Sequence, residues 1–243
     1  MTETLVCPGC DGKYKRIGVH WSKACGFPEI AGEVEQVFIG LLMGDAWVNE
    51  PYGSNKHAVL EVASINERFL AHLHERLSPF TTEPRFYRSG EEVAKLAKDA
   101  GQNADAEKTN DQYHLRSRAH PFFDELRGWY GKEGKRFPEE LTLTSTIAKY
   151  WFACDGLVGW SSGQWADEEY GHISFAASNE IDRSEYLFDL FEGLDVTPVV
   201  DSHKVRFNCE DSQKLIDWMG EPIPDFDYKW EINDINEHQK LKP

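Results

Sequence analysis

Apolar residues between Glu33 and Trp47 follow helical spacing, which predicts one helix there. They recur three and four positions apart, at Val34, Val37, Phe38, Leu41 and Leu42. Gly40 and Gly44 stand one turn apart on one face of this helix. Glycine destabilises a helix interior unless another element packs closely against it. We therefore expect the backbone of a second helix to lie against this glycine face.

A second apolar stretch, at residues 147–156, repeats the form of the first. Each stretch ends on an aspartate, Asp45 in the first and Asp155 in the second. A helix C-terminus disfavours negative charge, so two carboxylates at adjacent helix ends would repel each other unless a cation lay between them. Oxygen ligands favour Mg²⁺ or a similar hard cation. The alternative for each motif alone is a helix that is followed by a solvated acid.

The predicted elements after each stretch also repeat. After the first come strands at 47–48, 57–63, 85–88 and 112–118 and helices at 66–77 and 121–129. After the second come strands at 173–177, 197–201 and 204–208 and helices at 179–193 and 211–219. Residues 89–111 are rich in Ala, Gly, Glu, Asp and Lys, which predicts a long loop or a short solvated helix. The chain is thus predicted to contain two copies of a helix–strands–helix–strands–helix unit.

The stretch Gly40-Leu-Leu-Met-Gly-Asp45 and the stretch Trp151-Phe-Ala-Cys-Asp-Gly156, which Leu143-Thr144 precedes, resemble the two signature helices of a monomeric LAGLIDADG homing endonuclease. The resemblance covers roughly residues 33–230. It implies an α+β fold with two pseudo-symmetric αββαββα halves, at residues 31–140 and 141–243, whose antiparallel sheets form a DNA-binding saddle. The chain departs from the usual motifs at Cys154 and Ala46, where an acid and a glycine are common. We expect Cys154 to be a small buried residue at the helix interface, because no histidine is placed to activate its thiol.

The resemblance also implies a function and roles for individual residues. Asp45 and Asp155 match the family's metal-binding acids, one for each DNA strand, and Lys135 and Lys229 match its pattern for a basic catalytic residue. A divalent cation held by carboxylates can activate water, neutralise the phosphate and stabilise the leaving oxygen. The implied protein is a monomeric, Mg²⁺-dependent double-strand DNA endonuclease, associated with an intron or intein, that leaves 3′ overhangs. Two alternatives on the same fold stay open, a non-cleaving RNA maturase and a DNA-binding regulator.

Arg116 and Arg118, and likewise Lys204 and Arg206, stand at two-residue spacing in the predicted strands, as one face of a strand requires. In an antiparallel sheet with one open side, basic residues would lie together on that side. The residues that we place there are Arg85, Arg88, His114, Arg116 and Arg118 in the first half and Lys204 and Arg206 in the second. A basic ribbon of strands can enter the major groove and contact base edges, so we assign these residues to DNA binding. The alternative is a solvated sheet face without a ligand.

Residues 1–30 form a separate unit, with Cys7, Cys10, His20 and Cys25 in a C-x2-C-x9-H-x4-C spacing. Three thiolates and one imidazole suit a closed, tetrahedral, structural Zn²⁺ site of a zinc finger. So short a segment cannot bury a core alone, and a metal would supply the folding energy. The alternative is a set of incidental cysteines in a disordered tail. The unit carries four Lys and Arg against three acids, which favours an accessory DNA contact over a finger that only caps the main domain.

The net charge of −16, from 42 acids against 26 Lys and Arg, has the wrong sign for a nucleic-acid-binding protein. One hypothesis is a halophilic source, such as a haloarchaeon, in which the surface is acidic throughout and the binding face is locally basic. The alternative is an ordinary acidic protein that binds no nucleic acid. The sequence has no run of 18 apolar residues and no signal peptide, which predicts a cytoplasmic protein without a membrane partner. It starts with Met and ends in Lys-Pro without intein splice-junction features, so we expect a freestanding protein.

Overall fold

The structure of the chain is a computed structural model, and it describes residues 4–53, 55–101, 105, 108–132, 134–162, 169–201 and 203–233. The chain divides into two compact units. The first consists of Met1–Val34 and Ala46–Arg127, and the second of Glu35–Asp45 and Gly128–Pro243. Within the described ranges, no helix is long and apolar enough to cross a membrane.

The N-terminal segment of the first unit is a small antiparallel hairpin followed by a helical turn. Its elements are β1 (Leu5–Val6), β2 (Lys13–Tyr14), α1 (Ile17–His20) and a π-helical turn (Trp21–Cys25). The Trp21 side chain is buried, and its ring lies 5.5 Å from the ring of Phe80. Nε2 of the buried His120 lies 2.8 Å from the carbonyl oxygen of Pro28. The segment therefore packs against the rest of the first unit and shares its core.

The main sheet of the first unit has four antiparallel strands in the order β3–β4–β6–β5. The strands are β3 (Trp47–Asn49), β4 (Val59–Ser64), β5 (Arg85–Arg88) and β6 (Gln112–Arg116). The helices are α3 (Glu67–Leu77), α4 (Gly90–Asp99) and α5 (Pro121–Arg127). Helix α3 packs on β4 and β6. It does so through the apolar stripe that its sequence predicts, Phe69, Leu70, Leu73 and Leu77.

Helix α4 lies in the region 89–111, where the sequence predicts a loop or a short solvated helix. It begins with a capping box, in which the Ser89 and Glu92 side chains each accept a hydrogen bond from the other residue's backbone N–H. Ala94 is buried, and Gly90 approaches the backbone of Thr109 closely. The short-helix alternative is therefore confirmed, although one side of the helix is packed rather than solvated.

The main sheet of the second unit repeats the strand order of the first. Its order, β9–β10–β12–β11, again joins the first, second, fourth and third strands as antiparallel neighbours. The strands are β9 (Gly156–Ser162), β10 (Glu169–Ala176), β11 (Val199–Asp201) and β12 (Lys204–Arg206), and a hairpin of β7 (Tyr130–Gly131) and β8 (Gly134–Lys135) precedes them. The helices are α2 (Gly32–Met43), most of which belongs to this unit, α6 (Ser145–Asp155), α7 (Ser184–Asp189), α8 (Cys209–Met219) and α9 (Asp227–Trp230). The predicted α+β fold, with antiparallel sheets and a repeated order of elements, is confirmed.

The helix predicted over residues 179–193 is interrupted. A 3₁₀ helix covers Ser178–Arg183, and α7 covers only Ser184–Asp189. The carboxylate of Glu180 is buried in the 3₁₀ segment and accepts a hydrogen bond from the backbone N–H of Phe137. This buried acid ties the 3₁₀ segment to the chain after β8. The prediction of one continuous helix was therefore wrong.

The two glycines of α2 lie against α6 in the second unit, as their spacing predicts. A Cβ atom added at Gly40 would lie 2.6 Å from the carbonyl oxygen of Ile147. A Cβ atom added at Gly44 would lie 2.4 Å from the Cβ atom of Cys154. The expected close contact of two helices is confirmed, and Cys154 lies in that contact.

Alanine at Gly40 is expected to destabilise the protein by about 1–3 kcal/mol, because the obstructing oxygen belongs to a helix backbone and cannot rotate away. Gly18→Ala in α1 is the matched control, since a Cβ atom there meets nothing within 4 Å. Denaturant unfolding of both variants measures the difference. Equal losses of stability would contradict a close contact between the two helix backbones.

Candidate active site

Asp45 and Asp155 lie together in the second unit, each at the C-terminal end of one helix. Asp155 is the last residue of α6, and Asp45 follows the end of α2 by two residues. Their carboxyl groups lie close enough for each to affect the pKa of the other. Asp45 is exposed and Asp155 is partly buried, so solvent reaches the pair. The structure thus brings together the two acids that the sequence motifs single out.

The shared environment raises the pKa of both carboxyl groups. Loss of hydration and, second, the charge of Asp155 raise the pKa of Asp45 to about 6, against the opposing charges of Lys229 and Lys135. Loss of hydration also raises the pKa of Asp155, against the same two lysines. A hard divalent cation fits this donor set, because its charge would let both carboxyl groups ionise side by side.

Each of the two predicted lysines binds the carbonyl end of one helix. The Lys135 ammonium group donates to the carbonyl oxygens of Leu42 and, at 2.8 Å, of Gly44. The Lys229 ammonium group donates to three carbonyl oxygens at the end of α6, those of Ala153 and Gly156 (both 2.7 Å) and Phe152 (3.2 Å). A cation is favourable at the negative end of a helix. The two lysines are therefore placed beside the acids, one for each motif.

The two lysines of this centre differ in their exposure to solvent. Lys229 is only 7% exposed, and burial lowers its pKa to about 8 despite the acids nearby. Lys135 is partly buried, and burial lowers its pKa as well, against the charges of Asp155 and Asp45. Burial also raises the pKa of the Cys154 thiol to about 12. A thiol with a raised pKa is poorly suited to act as a nucleophile, and Cys154 packs against Gly44.

The affinity of the acid pair for a divalent cation is expected to rise with pH through about 6, because cation and proton compete for Asp45. The pKa of Asp45 is raised from its ordinary value of 3.8. Its protonated form therefore stabilises the folded state fully below pH 3.8, and this contribution is lost as the pH rises through about 6. A bound cation would offset the loss above that pH.

Thermal unfolding with and without excess Mg²⁺, on either side of pH 6, measures this competition. We expect a larger Mg²⁺-induced rise in melting temperature on the alkaline side. The rise should shrink in Asp45→Asn, which cannot ionise. A rise that is equal at both pH values and survives that substitution would contradict the assignment.

Four predicted DNA-binding residues share one side of the first sheet, which we call the open face. In an antiparallel ladder, residues directly opposite each other point to the same side. Arg85 lies opposite His114, and Arg88 lies opposite Gln112, two positions along the same strand. A bulge in β5 lets these two arginines, three positions apart, face the same side. Arg116 continues the alternation of β6 and completes the set.

Arg118 is placed differently from the other predicted contacts of the first sheet. The ladder between β4 and β6 ends at Arg116, and Arg118 lies beyond it. Its Nε donates a hydrogen bond to the carbonyl oxygen of Pro79 at 2.9 Å, and burial lowers the pKa of its guanidinium group. The alternation of the sequence continues through Arg118, but this side chain is bound to a loop of its own unit.

Lys204 and Arg206 lie on one side of the second sheet, as predicted. Lys204 is opposite Ala176, and Arg206 is opposite Ser174. His172 belongs to the same side of β10. Burial is the main cause that lowers its pKa, and the charges of Lys204 and Arg206 lower it further. The second unit therefore presents a basic sheet face of its own.

The open face also holds an acid that the sequence did not single out. Glu61 lies opposite Arg116 in the ladder. Its carboxylate oxygens lie 3.2 Å from Nε of Arg116 and 3.4 Å from Nε2 of His114. The spacing of the basic residues does not predict this acid, because Glu61 lies within the buried stretch Val59–Val62. A lone acid inside an apolar strand is the signal that could have found it.

Cys7, Cys10, His20 and Cys25 form a cluster in the first unit, with ligand atoms all within 4.8 Å of one another. The Sγ atoms of Cys7 and Cys25 are 3.9 Å apart, and Sγ of Cys10 lies 3.3 Å from Nε2 of His20. Thiolates around a tetrahedral Zn²⁺ are about 3.8 Å apart, so these separations fit that ion. The Tyr14 ring stacks on the imidazole of His20 at 3.6 Å and fixes its orientation.

These features define a class of protein in which one chain carries two repeated helix-and-sheet units and a pair of acids at two helix ends. The sequence profile of the LAGLIDADG DNA endonuclease family matches residues 35–206. The match covers well over half of the chain, and the chain belongs to this family. A comparison with curated proteins finds no significant match.

The comparison with solved structures finds homing endonucleases, and one of these matches shows the fold. One is the homing endonuclease I-WcaI bound to its DNA recognition sequence, which is 15% identical, with a TM-score of 0.70, and the match covers 91% of this chain and 94% of that one. Another is I-SmaMI bound to an uncleaved DNA target in the presence of calcium ions, which is 11% identical with a TM-score of 0.49 and coverage of 86% and 94%. The first similarity shows that this chain has the fold of that enzyme.

Proposed function

We propose that this protein is a site-specific, Mg²⁺-dependent endonuclease that cleaves both strands of a DNA target and leaves 3′ overhangs. The observation that carries the proposal is the pairing of Asp45 with Asp155, with one lysine at each helix end. Membership of the LAGLIDADG DNA endonuclease family supports the reaction class. DNA as the partner is supported by the I-WcaI structure, which is bound to its DNA recognition sequence.

Each acid would act on one strand. Asp45 and Asp155 would hold divalent cations, whose charge neutralises the phosphate and favours attack by water. Lys135 and Lys229 hold the carbonyl ends of α2 and α6, so each lysine fixes the backbone next to one acid. The same ammonium groups place positive charge where negative charge develops in the transition state.

The basic faces of the two sheets would bind the DNA. Arg85, Arg88, His114 and Arg116 would do so in the first unit, and Lys204 and Arg206 in the second. Cations near phosphates fix the position of a protein on DNA, and contacts to base edges supply sequence preference. Arg118 would contribute least, because its Nε is already bonded to Pro79.

The N-terminal cluster would hold a structural Zn²⁺ through Cys7, Cys10, His20 and Cys25. We assign residues 1–30 to this zinc finger, 31–140 to the first half and 141–243 to the second. The packing of Trp21 on Phe80 supports a structural role for the finger. Its excess of cations supports an accessory DNA contact, so both roles stay open.

One chain supplies both acids, and we infer that the enzyme acts as a monomer. An intron- or intein-associated homing role rests on the family resemblance, and the cytoplasmic location stays an expectation from the sequence. The halophilic source stays a hypothesis on the charge of −16. If the source is halophilic, we expect the protein to unfold at low salt concentration.

The test is cleavage of a plasmid library that carries uninterrupted insertion sites, in Mg²⁺ and in EDTA, at low and high KCl. We expect linear product from one site in Mg²⁺ and none in EDTA. Binding of that DNA without cleavage at any salt concentration would favour the regulator instead. Splicing of a host intron that depends on the protein, without DNA cleavage, would favour the maturase.

A further inference from the structure

Glu61 places a negative charge on a surface that would bind DNA, which is itself negatively charged. It lies in the middle of the open face, opposite Trp47 in β3 and Arg116 in β6. The residue is only 9% exposed. A buried carboxylate is unfavourable unless charged or hydrogen-bonding partners surround it. The groups that surround the Glu61 carboxylate therefore indicate its role.

The partners of Glu61 include two basic members of the open face, both on β6. One carboxylate oxygen lies 3.2 Å from Nε of Arg116 and the other 3.4 Å from Nε2 of His114. Burial alone would raise the pKa of Glu61, but His114 and then Arg116 outweigh it and lower that pKa. The carboxylate thus stays charged and holds Arg116 from one side.

Tyr52 holds the same guanidinium group from another side. The central carbon of the Arg116 guanidinium group lies 4.6 Å from the centre of the Tyr52 ring. An arginine carries five N–H donors, one on Nε and four on the two Nη atoms. Glu61 forms an ion pair on the Nε side without a hydrogen bond to Nε, and none of the described residues accepts a hydrogen bond from either Nη atom. The forked end of a fixed arginine therefore remains available, with the side chain 26% exposed.

The forked end of an arginine matches O6 and N7 of guanine, which lie side by side in the major groove. We propose that Arg116 recognises one guanine of the DNA target and that Glu61 and Tyr52 are its positioning residues. This rests on the proposed function, since it requires the open face to contact DNA. A side chain already held in one orientation loses less conformational entropy on binding than a free one.

Arg85 offers the matched comparison on the same face. It is exposed, lies opposite His114 and has no ion pair among the described residues. An arginine without fixed partners can contact a DNA phosphate whatever the base sequence. Substitution of Arg85 should therefore weaken binding to all sequences, whereas substitution of Arg116 should change the preference at one position.

The experiment is selection of binding sequences from randomised duplex DNA by the full chain, followed by sequencing. It compares wild type with Arg116→Ala, Arg116→Lys, Glu61→Gln and Arg85→Ala. Wild type is expected to select a guanine at one position by about 10- to 100-fold over other bases. Arg116→Ala should lose the preference there and keep it elsewhere, and Arg116→Lys and Glu61→Gln should each weaken it at the same position. Arg85→Ala should leave it intact.

The Arg116→Lys variant keeps the charge but not the fork, so it separates guanine recognition from general attraction to DNA. Circular dichroism identifies any variant that fails to fold. Unchanged preferences in folded Arg116→Lys and Glu61→Gln, or an equal loss at every position, would overturn the proposal and leave the endonuclease proposal standing. Absence of any selected sequence for wild type would overturn both.

Discussion

Asparagine in place of Asp45 or Asp155 is expected to turn an enzyme that linearises plasmid DNA into one that nicks it. Each acid would serve one strand, and the amide keeps the shape of the side chain but cannot give the cation its negative charge. A metal contributes several kcal/mol to stabilisation of the transition state, so cleavage of the affected strand should slow by more than about 100-fold. Gel separation of supercoiled, nicked and linear plasmid measures it.

Asp189→Asn is the matched control for this pair. Asp189 is, like Asp45, an exposed aspartate at the end of a helix in the second unit, but it lies outside the acid pair. It should linearise plasmid like wild type. Because the pKa of Asp45 is raised, Asp45→Asn should not lower the melting temperature of the metal-free protein above pH 6. Full linearisation by Asp45→Asn would show that this acid is not required.

Serine in place of Cys10 is expected to remove the metal and lower the free energy of unfolding by more than about 4 kcal/mol. Cys10 is exposed, so the loss of its sulfur alone would have little effect. The large effect is expected because Trp21, which directly follows His20, is buried against Phe80, and loss of the metal would release the segment that holds it there. Thermal unfolding and zinc content of the purified protein measure the change.

Cys209→Ser is the control for this substitution. Cys209 is a free cysteine at the start of α8, outside the cluster. It should leave both the zinc content and the melting temperature close to those of wild type. If Cys10→Ser and Cys209→Ser behave alike and the wild-type protein contains no zinc, the cysteines of the N-terminal segment have no metal-binding role.

The central contact of the second unit could be predicted because it depends on local rules. Two glycines one turn apart require a close neighbour, and Gly40 and Gly44 both lie against α6. The lysines came from the family resemblance alone. The sequence could not show that Lys135 and Lys229 bind helix-end carbonyls, since those contacts join residues 73 to 93 positions apart.

Other features depend on contacts that no local pattern encodes. The helix over 179–193 is apolar at helical spacing, yet the buried carboxylate of Glu180 holds its first turn in a 3₁₀ form. Arg118 fits the alternation of β6, yet the ladder ends before it and Pro79 takes its hydrogen bond. In both places a tertiary contact outweighs the local preference.

The bulge in β5 makes one point of the first sheet tolerant to a change in chain length. Tyr87 is the additional residue there, since Phe86 and Arg88 pair with consecutive residues of β6. Loss of one residue elsewhere in a strand would turn every later side chain to the opposite side of the sheet. Loss of Tyr87 would leave Arg85 and Arg88 on the same side. During evolution, a single-codon deletion at this point could alter the reach of Arg88 towards a target while the reading surface as a whole survived.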